Sequence, residues 1–453
     1  LTIAQKIKDL SQSTNFFSFH FSQSQALIVV KLMSDRMQWT NALSTSPSLE
    51  TAITEVVERI KPSLSGNPDF GILFISSAYA TDFPRVIPLL LEKLSIPVLI
   101  GCGGGGIIGM SQDDSAVEIE ANPAISLSVA QLPGVEIHPF HLSAEALPDL
   151  DSPPQTWVEL VGVSPQDQPK FILLCDPFTS KVNDLLEGLD FAYPGSTKVG
   201  GLASAGMMGV PSALFYHARD RSGQSLYREG TVGVALSGNL VLETIVAQGC
   251  RPIGKLYQVS GGERNVILKL SEVENGDESI ETSKARPPLE VLRDVLETLN
   301  DKDKELAQHS LFIGIARDEF KFQLGQGDFL IRNLLGVDPR QGAMAVGDRI
   351  RPGQRVQFHL RDSNTSAEDL ELLLESYQQQ QNSVSHAAGA LMFSCLGRGE
   401  TLYGLPNFDS GLFQRYLNQI PLGGFFCNGE IGPVGDRTFL HGYTSAFAIF
   451  RQP

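Results

Sequence analysis

Residues 421–435 read PLGGFFCNGEIGPVG, placing Cys427, Asn428 and Glu430 among glycines and apolar residues. Three kinds of chemistry suit these residues. A cysteine becomes a nucleophile when a base or a lowered pKa gives it thiolate character, and His441, in FLHGYTSA, is the one histidine close in sequence. Cys427, Glu430 and His441 could also ligate a metal, but no fourth ligand is spaced to close a site. In the third reading Glu430 holds a ligand ammonium while bare backbone N–H groups of glycine loops form a nest for a carboxylate. Arg398 (CLGRGE) and Arg437 are candidate anion partners. Each reading has a plainer rival. The thiol is simply buried, Asn428 and Glu430 cap the backbone of their own loop, and the arginines lie on the surface.

Glycines also crowd GCGGGG at 101–106, where Gly101, Gly103 and Gly106 match G-x-G-x-x-G. A dinucleotide site needs a helix next, its N-terminus facing the pyrophosphate. IIGMSQDDSAVEIE follows instead and alternates like a strand, so the nucleotide reading is discounted. No G-x4-G-K-[ST] occurs.

The elements that must position these residues recur. FGILFISSAYA, DFPRVIPLLLEKL and IPVLI read as strand, helix and strand, ending in the first glycine run. KFILLCDPFTS, KVNDLLEGLDFAY and TKVGGLASAGMMG repeat the order, and GALMFSCLGRG, FDSGLFQRYLNQ and IPLGGFFCNGEIGPVG repeat it again. Gly200, Gly201, Gly206 and Gly209 align with Gly423, Gly424, Gly429 and Gly432 as G-G-x4-G-x2-G. Gly101, Gly106 and Gly109 give a frame one residue shorter. Each unit is followed by alternating, hairpin-like sequence. The expected fold is α/β: two domains of mixed β-sheet with packed helices, built from repeated strand-helix-strand units followed by antiparallel hairpins. Residues 271–288 (SEVENGDESIETSKARPP) read as a charged loop, SAEDLELLLESYQQQQ as a capped helix. The domains are expected at 37–250 and 251–453, with strand exchange allowed across the boundary. Residues 1–36 are expected to lie outside the folded unit, an extra strand or a transit-like segment being the alternatives.

Composition narrows the function. The formal charge of −16 argues against nucleic acid and anionic membranes as partners. No apolar run reaches the roughly 18 residues of a membrane span. The five cysteines are scattered, without a CxxC pair, as expected of reduced cytoplasmic thiols.

IPVLIGCGGGGIIG, PGSTKVGGLASAG, GDRIRPGQRVQFHLRD and IPLGGFFCNGEIGPVGDRTFLHGYTSAFAIF together resemble the FIST family, with its FIST N and FIST C domains. The resemblance covers roughly residues 60–450. It implies an intracellular sensory module for a small ligand such as an amino acid, with signal output through a protein partner. No F-box is visible ahead of the FIST region, so ubiquitin-ligase recruitment is not implied. The expected ligand site draws on Gly101, Gly103, Gly106, Gly200, Gly201, Ser204, Gly424, Cys427, Asn428, Gly429, Glu430, Arg437 and His441, with no cofactor, metal or catalysis. A Cys427/His441 enzyme and a protein-binding scaffold are the alternatives.

Overall fold

Phe70–Ser76 has no charged residue and no polar face, so it can only be a strand covered on both sides, and every one of its residues is buried. That strand sits in the first of three topologically matching repeats. The computed structural model describes residues 36–453 except 205–211, 220–222, 224, 276–279, 283, 319–320, 322, 326, 381–386 and 419. The expectation for residues 1–36 therefore falls almost wholly outside the described residues, as do Gly206 and Gly209.

The first repeat runs β1 (Gln38–Ser44), α1 (Leu49–Ile60), β2 (Phe70–Ser76), α2 (Phe83–Lys93), β3 (Val98–Gly104), β4 (Ile107–Met110), β5 (Ala116–Ile119) and β6 (Ile125–Gln131). The second runs β7 (Val135–Leu142), α3 (Pro154–Val161), β8 (Lys170–Cys175), α4 (Val182–Ala192), β9 (Lys198–Leu202), β10 (Leu214–Ala218), β11 (Leu226–Tyr227) and β12 (Thr231–Gly238). The third opens with β13 (Val241–Ala247). Its first connection then carries a whole inserted unit: β14 (Cys250–Glu263), β15 (Val266–Asn275), β16 (Ile280–Thr282), α5 (Pro288–Thr298), α6 (Asp301–Ala307), β17 (Leu311–Ala316), β18 (Phe329–Asp338), β19 (Ala343–Val346) and β20 (Arg355–Arg361). It resumes with α7 (Ser363–Gln380), β21 (Gly389–Cys395), α8 (Glu400–Tyr403), α9 (Phe408–Tyr416), β22 (Leu422–Cys427), β23 (Glu430–Val434), β24 (Arg437–His441) and β25 (Ser445–Arg451).

Each repeat builds a sheet around a parallel pair, β2/β3, β8/β9 or β21/β22. Each then hands its following hairpin to the next sheet. Strand β4 pairs with β22, β23 with β9, and β10 with β3, so the exchange closes in a ring. The inner faces share one core, in which Phe74 stacks on Phe425 with centroids 4.9 Å apart and Phe393 meets both edge-on. The outer faces are covered by each repeat's own helices: α1 and α2, α3 and α4, and α7 and α9. In the inserted unit the antiparallel order β14-β20-β17-β18-β19-β15 returns to β14 through the β14–β15 pairing, which closes a small barrel.

The mixed α/β fold with repeated units agrees with the expectation. Three local readings are corrected. The charged stretch after residue 270 continues β15 to Asn275 and returns as β16, because cross-strand pairing of Val273 with Thr282 overrides its loop-like composition. Helix α7 starts at Ser363 rather than at Ser366, whose hydroxyl is buried and donates to the Gly249 carbonyl. The glycine frames are shifted by one: Gly424 pairs with Met392 as Gly200 does with Leu173 and Gly101 with Leu73, so Gly423 answers to Val199 and Ile100. Counting glycines aligned their identities; the ladder aligns their surroundings.

Candidate functional site

The shared glycines have one cause. A Cβ on Gly101, Gly200 or Gly424 would lie 2.3, 1.8 or 2.0 Å from the carbonyl oxygen of Leu73, Leu173 or Met392 on the partner strand. Only glycine fits so close to a neighbouring backbone. Beyond this point the three strand ends interlock. Gly103 N–H donates to the Ala213 carbonyl at 2.9 Å, Leu202 N–H to Gly429 at 2.8 Å and Phe426 N–H to Gly106 at 2.9 Å. Ser204 N–H donates to Gly103 and Asn428 N–H to Leu202, both at 3.1 Å. The third member of that set is bridged: the Ser204 hydroxyl accepts from Gly105 N–H at 2.8 Å and donates to the Phe426 carbonyl. These loop N–H groups are thus taken up by the protein's own carbonyls and the Ser204 hydroxyl.

Against this symmetric frame the third repeat stands apart. Where β23 begins it places Glu430, opposite Gly201; the corresponding residues are Ile107, opposite Phe425, and Leu214, opposite Cys102. Cys427 takes the place of Gly104 and Ala203. Cys395 N–H donates to the Thr444 carbonyl as Ser76 does to Ala124 and Asp176 to Gly230, so Cys395 and Thr444 also have counterparts. A carboxylate, two thiols and a hydroxyl therefore gather at the carboxyl ends of β21 and β22, the edge where open α/β sheets bind ligands.

Glu430 is fully buried. Its Oε2 accepts from Thr444 N–H at 3.1 Å, and Oε1 has no partner. Burial holds its carboxyl well above the usual range, against the opposing pull of the Thr444 N–H, the Arg398 charge and the Cys395 thiol. Arg398, also buried, is committed: Nε and Nη2 grip the two oxygens of Asp409 at 2.6 and 3.0 Å, and Nη2 also meets the Tyr403 hydroxyl. It is neither a surface arginine nor free for a ligand anion. The inserted barrel supplies a different guanidinium. Arg361, the last residue of β20, donates Nη1 to the Gly397 carbonyl at 3.0 Å and stacks 4.3 Å from the Tyr443 ring centroid. Its Nε is buried without a partner. Tyr443 is held at φ 62°, a conformation side chains resist, with its hydroxyl on Asn333 Oδ1 of the barrel at 2.9 Å.

The remaining expected site residues are placed as follows. Gly101 and Gly103 lie on β3, Gly106 in the turn after it, and Gly200 and Gly201 on β9 beside Ser204. Gly424 and Cys427 lie on β22, and Gly429 in the turn before Glu430. Gly201 makes room for Cys427, whose sulfur lies 2.4 Å from where a Gly201 Cβ would sit. That sulfur is fully buried, and burial pushes the thiol well up, with the Glu430 charge adding to it. His441 pairs with Glu430 across the β23–β24 hairpin. Its Nε2 donates to the Gly432 carbonyl at 3.0 Å, and burial pulls its pKa down to about 4, so the ring is neutral. No hydrogen bond joins it to Cys427 among the described residues. Asn428 is exposed and its amide reaches the Ala203 carbonyl at 3.4 Å, capping the loop. Arg437 is exposed at the far end of β24, four residues or roughly 13 Å from His441. No group of metal-ligating side chains occurs among the described residues.

Sequence reasoning passed over Cys395, Arg361, Tyr443, Thr444 and Asp409. The available signal for Thr444 was the repeat itself, aligned by strand register, since it stands where the other copies carry Ala124 and Gly230.

Residues 69–272 match the FIST N domain and residues 288–433 the FIST C domain. The chain is 33% identical to the uncharacterized protein Mb0898c of Mycobacterium bovis, over 90% of this chain and 97% of that one. It is equally similar to the uncharacterized protein MT0656 of Mycobacterium tuberculosis, over 90% of this chain and 98% of that one. The F-box/LRR-repeat protein At5g63520 of Arabidopsis thaliana is 22% identical over 91% of this chain and 85% of its own length. With both domains in tandem and relatives matched along nearly their whole length, the chain belongs to the FIST family, whose domains are generally regarded as sensory, signal-transduction modules.

Proposed function

We propose that this protein senses a small zwitterion, an α-amino acid or a close analogue, at the carboxyl ends of β21 and β22. The observation that carries the reading is the Glu430 carboxyl, buried with one oxygen unpartnered in the single repeat that has an ionisable group there. A ligand ammonium would satisfy that oxygen and offset its desolvation. Arg361 Nε, a donor without an acceptor, belongs to the same cluster through Tyr443 and Cys395 and would take the ligand carboxylate. The φ of Tyr443, between the two, is the backbone strain that binding sites tend to store. The reading is non-catalytic: Cys427 is sealed with its thiol protonated, and the neutral His441 is spent on a carbonyl. Signal output passes through a protein partner.

Thermal-shift titration across an amino-acid panel tests this. At least one amino acid is expected to raise Tm saturably in the wild type, and Glu430→Gln, which removes the ionisable carboxyl and keeps the shape, should fold and lose the shift. Arg361→Gln should weaken binding of the same compound. A shift that survives in Glu430→Gln would overturn the site, and a full panel without any shift would overturn the ligand class.

A further inference from the structure

We infer a second binding site, separate from Glu430, for a small monocarboxylic acid with an apolar tail, in a cavity between α5 and the bulged middle of β14. Strand β14 pairs with β20 at Ile253–Phe358 and resumes at Tyr257–Val356, so Gly254, Lys255 and Leu256 stand against the single residue Gln357. The ladder from β14 to β15 also begins only at Tyr257. Gly254 takes φ 65°, and a Cβ on it would lie 2.7 Å from Val295 Cγ2 of α5. The bulge thus brings the barrel wall against the helix, and a cavity of about 270 Å³ lies beside that contact. Its floor is apolar: Tyr257, Leu270, Val291 and Val295 line it, and all four are buried. Its rim is charged, with Lys255, Lys284, Arg286, Glu272 and Asp294. Glu272 is engaged by Lys255, and Asp294 by Arg286 at 2.7 Å. Lys284 is exposed, and no ion pair reaches it among the described residues.

Size, charge and floor select the ligand. Pockets for drug-sized molecules begin at roughly 300 Å³, so this occupant is smaller. Three cations against two carboxylates leave the rim with one net positive charge, in a chain whose formal charge is −16. Both carboxylates already have a cation, so the surplus calls for one negative charge rather than two. The floor calls for a hydrocarbon tail, which tightens binding about fourfold for each methylene it buries. A carboxylate beside Lys284 with its tail over Val291 and Val295 meets all three demands. Such a ligand needs no ammonium, which separates this site chemically from Glu430.

Straight-chain acids from acetate to hexanoate are the probes, with the matching alkylammonium salts at equal ionic strength as the control of opposite charge. In thermal-shift titrations of the full chain the acids should raise Tm saturably, with an apparent Kd that falls severalfold per added methylene. The amines should show no such series. Glu430→Gln should respond as the wild type does. Lys284→Gln should lose most of the preference for acid over amine. Thr298→Trp, which sets a large ring into the cavity from an exposed position at the end of α5, should abolish the response. In crystals soaked with 4-bromobenzoate, the anomalous bromine peak is expected against Val291 and Val295. An acid response independent of chain length, an equal response to the amines, an unchanged response in either variant, or a bromine peak only elsewhere would overturn the inference. Should Thr298→Trp fail to fold, Lys284→Gln decides it.

Discussion

Arg398 and Asp409 lie eleven residues apart in the chain and form a doubly hydrogen-bonded ion pair, at 2.6 and 3.0 Å, with both side chains sealed from solvent. Removing one partner strands a buried charge. Asp409→Asn and Arg398→Met are each expected to cost about 3–5 kcal/mol in urea unfolding. The double variant Arg398→Met/Asp409→Leu should recover much of the loss. Equal, additive losses would show that the pair is not what holds α8 and α9 against β21.

Glu118 on β5 makes stability depend on pH near neutrality. Its Oε1 accepts from Ser410 N–H at 2.6 Å and its Oε2 has no partner. Burial, then the neighbouring charge of Asp409, raises its pKa from 4.5 to about 7. Between those values the folded state holds a proton that the unfolded chain has released, so stability falls as pH rises from about 4.5 to 7 and then levels off. The fall should be of order 1–3 kcal/mol. Glu118→Gln should flatten this part of the pH–stability curve measured by denaturant titration; an unchanged slope would move the effect elsewhere, with Glu430 the next candidate.

Gly424→Ala should be severely destabilising, by about 3 kcal/mol or more, because the new methyl meets a backbone carbonyl rather than a movable side chain. Gly411→Ala is the matched control. It lies inside α9 with nothing within 4 Å of its added Cβ, and should stabilise by about 0.5–1 kcal/mol. Chemical denaturation of the pair separates close approach from a general intolerance of substitution.

Ser204→Ala removes the hydroxyl that joins Gly105 N–H to the Phe426 carbonyl. Both groups then lose their partner at the junction of the repeats, an expected loss of about 1–3 kcal/mol. Hydrogen exchange should speed up at Gly105 ahead of the surrounding strands.

All five cysteines are free, and Cys395 is the least buried of them. Burial still pushes the Cys395 thiol up to about 12. Alkylation of the native protein at pH 8 should therefore be slow, should begin at Cys395, and should reach Cys102, Cys175, Cys250 and Cys427 only on unfolding. Rapid modification of Cys427 would revive a nucleophilic role.

The sequence by itself determined the local units. Apolar runs such as Phe70–Ser76, amphipathic stretches such as Leu49–Ile60 with its Ser48 cap, and the recurrent glycines are short-range signals, and they announced three strand-helix-strand units. It also singled out Glu430 as a charge in a setting built for small and apolar residues. Only the tertiary structure decided which sheet each hairpin joins, because β23 is as well formed beside β9 as it would be beside its own β22, and only the packed core chooses. The same long-range choice gave the Gly103 and Gly105 N–H groups to the Ala213 carbonyl and the Ser204 hydroxyl rather than to a ready anion nest. It also brought Arg361, on an insertion nearly seventy residues upstream of Glu430, against Gly397 and Tyr443. Hydrogen bonds and burial between residues so far apart in the chain leave no periodicity to read.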